Sequence, residues 1–177
     1  MAGSLVLIQE TTVSSATASV TLTGIDSTYN VYTVHFSNVE CTTDNQPLYF
    51  RVTTSGTADS DSEYDYAMKE FKSYGNFSDS GYTNQTQQYI TYIGTPTQEQ
   101  ANGVLNLFNF SNASGHSFYT IENLNLNSIS KLSGAQGGGV HTVAEANDGV
   151  SFYMASGNID SGTFSLYGIK KWLDFVW

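Results

Sequence analysis

Apolar and polar residues alternate along much of the chain with the period of two that a half-buried strand requires. In Leu48-Tyr49-Phe50-Arg51-Val52-Thr53, the residues Leu48, Phe50 and Val52 share one face. Val20 and Leu22 do the same within 17–23, Leu105 and Leu107 within 103–110, and Phe164 and Leu166 within 162–169. Residues 30–39 are dense in β-branched and aromatic side chains and form the clearest strand of all. Shorter runs of the same kind occupy 4–9, 88–93, 117–122, 139–144 and 150–155. Gly, Asn and Asp clusters punctuate them, as turns between strands require. About ten strands at such spacing predict a sandwich rather than a parallel sheet.

The pattern weakens over 55–86. Ala67-Met68-Lys69-Glu70-Phe71-Lys72 is built from helix formers and favours one short helix, yet Tyr64, Tyr66, Met68 and Glu70 also alternate as a strand would. The run Gly134-Ala135-Gln136-Gly137-Gly138-Gly139 is too short for a linker. It reads as a tight loop, or as a place where a neighbouring backbone comes close. The fold class that follows is all-β: an antiparallel, jelly-roll-like β-sandwich with one weakly patterned insertion. It is expected to be a single domain over 1–177, with 170–177 as an apolar C-terminal tail.

Composition sharpens this picture. Aromatic residues make up 14% and charged residues 12%, so Ser, Thr, Asn and Gln must supply most of the polar surface, which suits sheet faces better than helices. Six basic against 16 acidic residues give a net charge of -10, a surface that repels phosphate backbones and anionic membranes. Neither nucleic acid nor a membrane is an expected partner. The sequence contains no secretion-signal pattern and no long apolar run, so synthesis in the cytoplasm is expected and the sequons at Asn76, Asn84, Asn109 and Asn112 carry no weight.

Candidate chemistry is sparse. His35, His116 and His141 stand far apart, and a metal or nucleophilic site would need them to converge with carboxylates or a thiol; His35, inside a strand among apolar neighbours, reads as a core or sheet-face histidine. Cys41 has no partner for a disulfide and no flanking signature of a nucleophile. The alternating carboxylates Asp59, Asp61, Glu63 and Asp65 superficially suggest a calcium loop, but lack its glycine and its terminal glutamate, so they read as a solvated, mutually repelling loop. No catalytic residue, cofactor-binding residue or metal ligand is therefore nominated, and no enzyme, cofactor or metal is expected. Chelation is expected to leave the fold unchanged. The many tyrosines with Asn and Gln would suit a sugar-binding surface, since aromatic faces stack on sugars and amides bond hydroxyls.

Two passages carry a resemblance: Ala18-Ser19-Val20-Thr21-Leu22-Thr23-Gly24-Ile25-Asp26-Ser27-Thr28-Tyr29, opening into the 30–39 strand, and the closing hairpin Ser156-Gly157-Asn158-Ile159-Asp160-Ser161-Gly162-Thr163-Phe164-Ser165-Leu166-Tyr167-Gly168-Ile169. Together they resemble small jelly-roll structural proteins of tailed phages of marine bacteria and cyanobacteria. The resemblance spans most of the chain, 55–86 being the part that matches least. It implies a virion component: a capsid decoration (cement) protein, homotrimeric, held on the major capsid protein by protein-protein contacts. The alternative it leaves open is a tail fibre or tail-tip receptor-binding domain recognising host surface carbohydrate. The segment after the closing strand holds both tryptophans, and Trp172, Leu173, Phe175, Val176 and Trp177 are expected to pack against a neighbouring subunit or the capsid shell.

Overall fold

The computed structural model describes residues 4–95, 97–126 and 130–170; the expected interface residues Trp172, Leu173, Phe175, Val176 and Trp177 lie outside them. The described residues form strands β1 (Leu5–Val13), β2 (Ser19–Thr23), β3 (Val31–Cys41), β4 (Gln46–Thr54), β5 (Thr57–Ala58), β6 (Tyr64–Lys72) and β7 (Ser78–Gln85). They continue with β8 (Gln88–Ile93), β9 (Ala101–Phe108), β10 (Ser117–Leu126), β11 (Leu132–His141), β12 (Gly149–Met154) and β13 (Ile159–Ile169). A single 3-10 turn, Thr97–Glu99, is the sole helical element among them.

The strands make two antiparallel sheets packed face to face, a β-sandwich. One runs β1-β13-β3-β9-β10-β11-β6-β7. The other runs β2-β12-β4, with β5 and β8 both pairing the far side of β4. Alternation decides what fills the space between them. Val34 and Phe36 from β3, Leu105 and Leu107 from β9, and Phe164 and Leu166 from β13 meet Leu48, Phe50 and Val52 from β4 and Val150 and Phe152 from β12, all buried. Phe152 lies at the centre, its ring 5.0 Å from that of Phe164, 6.1 Å from Phe36 and 6.1 Å from Phe50. Pairs at such separations add to the stabilisation that area burial gives.

The resembling motifs do structural work here. The Tyr32 hydroxyl lies 2.8 Å from the Asp26 carbonyl oxygen and accepts the Asp26 amide at 3.0 Å, while the Asp26 carboxylate accepts the Thr28 amide at 2.7 Å. These bonds close the turn between β2 and β3. They also hold the Asp26 carboxyl below its ordinary value, the Thr28 amide being the largest cause. The closing motif becomes β13, which pairs with β1 on one side and β3 on the other.

Two expectations need correction. Residues 67–72 are strand, not helix: β6 pairs β11 in continuous register from Tyr64↔His141 to Lys72↔Ser133, and buries Tyr64 and Met68 by alternation. Propensity yields to pairing, because β6 has β11 along its whole length on one side and β7 along most of the other. The glycine run is also strand rather than loop. A Cβ at Gly137 would run into the Ala67 carbonyl and Met68, and one at Gly139 would meet the Asp65 carbonyl and the Tyr119 hydroxyl. The close approach expected of these glycines is therefore real, made by the neighbouring strands.

At the β10 end the seam between sheets is polar. Asn123 donates to the Ile90 carbonyl at 3.0 Å and Asn125 to the Tyr92 carbonyl at 2.7 Å, and Thr91 donates to Asn125 at 3.1 Å. The donor nitrogen of each buried amide finds β8 backbone, though the Asn123 Oδ1 has no hydrogen-bond partner.

Candidate functional site: a tyrosine-lined groove and a buried histidine cluster

The eight-stranded sheet is wider than its partner. Its β6-β7 hairpin lies beside the edge strand β8, and a groove of about 380 Å³ runs between them. Tyr49 of β4, Tyr89 and Tyr92 of β8, Tyr66 of β6 and Tyr82 of β7 line it. The rings form two sets: Tyr66 and Tyr82, 5.2 Å apart, and Tyr49, Tyr89 and Tyr92, with Tyr89 5.8 Å from Tyr92 and 6.3 Å from Tyr49. On the other side of Tyr49 lies Tyr153 at 5.8 Å, with the Arg51 guanidinium 4.8 Å above its ring. Polar groups converge on the same groove: the carboxylates of Glu70 and Asp79 and the amides of Gln85 and Gln87.

Burial pushes the Tyr66 phenol up to about 12 and raises Tyr49 and Tyr89 as well. All three therefore remain neutral hydroxyls at physiological pH, able to donate and accept. Flat apolar faces beside neutral hydroxyls, carboxylates and amides are the equipment for binding a polyhydroxylated ring. The sugar-binding potential of the tyrosines was legible in composition, but not their convergence, since they come from four separate strands.

A second site lies where β11 ends. His141 is wholly buried; its Nε2 is 2.8 Å from Asp59 Oδ2 and 3.4 Å from Glu63 Oε2, and its Nδ1 is 3.9 Å from Glu145 Oε1. The Tyr64 ring packs on the imidazole at 5.1 Å. The acidic segment is tied down from several sides. Asp59 donates its amide to the Val52 carbonyl at 3.0 Å, its Oδ1 accepts the Asp61 amide at 2.8 Å, and its carbonyl accepts the Tyr64 hydroxyl at 3.0 Å. Thr142 donates both its amide, at 2.8 Å, and its hydroxyl, at 3.0 Å, to the Glu63 carbonyl.

Burial, and then the hydrogen bond with Asp59, hold the Glu63 carboxyl above its ordinary value. Burial acts the same way on Asp59, but the Asp61 amide and His141 outweigh it and its carboxyl is lowered. The reading of Asp59 to Asp65 as a uniformly solvated loop is thus corrected. Asp61 is exposed, but Asp59 and Glu63 are packed around an imidazole. The signal that sequence inspection missed is one of pairing, for β11 meets β6 at His141↔Tyr64, which places the histidine beside the residue following Glu63.

The other candidates stay apart. His35 is half-buried on the outer face of the larger sheet, 5.2 Å from the Tyr167 ring, and His116 is exposed in the β9-β10 connection. Cys41 is buried, with Sγ 2.9 Å from the Thr43 carbonyl, and burial pushes its thiol up, which disfavours the thiolate. No helix among the described residues is long and apolar enough to cross a membrane. Neither a family model, nor a curated protein, nor a solved structure matches the chain.

Proposed function

We propose that this chain is a non-enzymatic recognition module of a tailed-phage virion, located in a tail fibre or tail tip, which takes host surface carbohydrate in the tyrosine-lined groove. The groove is the observation that carries this reading. It offers stacking faces, neutral hydroxyls, two carboxylates and two amides in one concave surface. The strand order supports the jelly-roll reading that the resemblance implies. With β5 to β7 and β10 to β11 set aside as insertions, the remaining eight strands run first, eighth, third, sixth in one sheet and second, seventh, fourth, fifth in the other. Two Greek keys wound together have this nesting.

A second reading, a homotrimeric capsid decoration protein on the major capsid protein, draws support from a different surface. On the outer face of the larger sheet, Val31 pairs Phe108, Phe108 pairs Phe118, and Phe118 pairs Val140, making an apolar row across four strands. Phe118 is 50% exposed, and Leu5 and Leu7 on β1 are 49% and 52% exposed. A contiguous exposed row of this kind is the usual mark of a protein contact. Immuno-electron microscopy of purified particles separates the two. Label over the tail supports the receptor-binding reading, label over the head replaces it with decoration, and no label on particles overturns both.

A further inference from the structure

We propose that Asp59, Glu63 and His141 form a binding site for a divalent transition-metal ion of the zinc class, which fastens the β5-β6 connection to the end of β11. The three donor atoms lie within 4.8 Å of one another, and Asp59 and Glu63 also line a hollow of about 390 Å³ together with Thr57, Asp61 and Glu145, behind which His141 is buried. Four-coordinate zinc with ligands at its usual bond lengths holds its donors about 3.3 Å apart. His141 Nε2 already stands 2.8 and 3.4 Å from the two carboxylate oxygens, so the set needs only small shifts of Asp59 and Glu63 to close on an ion. One imidazole and two carboxylates are a zinc-type donor set, and the open side leaves room for water as the fourth ligand.

The independent observation is the histidine. Its ring is wholly buried, yet Nδ1 has no hydrogen-bond partner, which is costly for a polar atom out of reach of water. Metal on Nε2 would turn Nδ1 into a donor facing a carboxylate, which a closing movement of Glu145 by about 1 Å would bring within hydrogen-bond reach. The ring's proton would then sit on Nδ1, directed at Glu145 Oε1, 3.9 Å away, a carboxylate that Thr54 already orients by a 3.1 Å hydrogen bond. Metal-bound histidines commonly point their other nitrogen at a carboxylate in this manner. The ion would also relieve the crowding of carboxylates round one ring. This site is separate from the tyrosine groove, and neither depends on the other.

The test is titration of the EDTA-stripped full chain with Zn2+, Co2+ and Ca2+ by calorimetry and thermal denaturation, with Co2+ also followed by its visible d–d bands. The proposal expects one Zn2+ per chain, a rise in melting temperature that EDTA reverses, and Co2+ bands characteristic of mixed nitrogen and oxygen ligation. Because His141 is buried and its replacement risks the fold, the decisive variant is Glu63→Gln, whose side chain is partly exposed. It should fold as the parent does and bind Zn2+ at least about tenfold more weakly, while Glu145→Gln should cost about tenfold through the second nitrogen. Asp61→Asn, which alters the rim without removing a ligand, should leave affinity within about twofold, as expected of a screened surface charge. A chain that binds no Zn2+ or Co2+, binds Ca2+ alone, or binds Zn2+ equally well as Glu63→Gln overturns it.

Discussion

Removing one oxygen atom tests how the insertion is welded to the sandwich. Tyr64 is fully buried, and its hydroxyl accepts the Val52 amide at 3.1 Å while donating to the Asp59 carbonyl at 3.0 Å. In Tyr64→Phe the ring and its packing remain, but the Val52 amide is left unpaired inside the protein, at a cost of about 1–3 kcal/mol. The Asp59 carbonyl is nearer to water and adds at most about 1 kcal/mol. The expected loss is therefore about 1–4 kcal/mol. With a urea slope of about 2 kcal/mol/M for a chain of this size, the unfolding midpoint should fall by about 0.5–2 M at unchanged slope. Equilibrium urea unfolding followed by far-ultraviolet circular dichroism measures this directly. Tyr82→Phe is the control, because Tyr82 is 48% exposed and water replaces whatever its hydroxyl loses. A Tyr64→Phe midpoint within about 0.25 M of the parent, roughly 0.5 kcal/mol, would refute the reasoning.

Phe152→Ala should cost about 3–5 kcal/mol by the same assay, because it opens a cavity among the rings of Phe36, Phe50 and Phe164 from both sheets; a loss under about 1 kcal/mol would mean the sheets do not pack there. Gly137→Ala should destabilise by about 1–3 kcal/mol, since the new methyl meets the Ala67 backbone, whereas Gly81→Ala, with no atom closer than 4.0 Å, should stay within about 0.5 kcal/mol. Cys41 should resist alkylation at mildly alkaline pH in the folded chain and react fully in urea, because its thiol is buried and pushed up; mass spectrometry of the iodoacetamide-treated protein reads the outcome.

What was legible in the sequence is what local alternation encodes. The Leu48, Phe50 and Val52 face of β4 and the Phe164 and Leu166 face of β13 are buried as their spacing requires. Over 64–72 the same rule competed with the helix propensity of Ala67, Met68, Lys69 and Glu70, and only pairing with β11 decides between them. β11 itself was obscured because its glycines carry no side chains to show an alternation, and its neighbours Tyr66 and Tyr119 supply the bulk instead.

The sites were harder to read because both are made by pairing across distance. Asp59 and His141 are 82 residues apart, and no spacing motif joins them. The tyrosines of the groove are spread over four strands, so composition revealed their number but not their meeting place. Apolar faces were readable only in part: Phe108 and Phe118 belong to different strands, and their row appears once the ladder between β9 and β10 is known.

Carbohydrate binding in the tyrosine-lined groove is tested by a glycan array probed with the full chain and with the Tyr66→Ala, Tyr82→Ala double variant. The parent chain should bind a defined subset of glycans, and the double variant should lose this binding while its circular dichroism spectrum is unchanged. Absence of glycan binding by the parent chain, or binding that survives in the double variant, would contradict it.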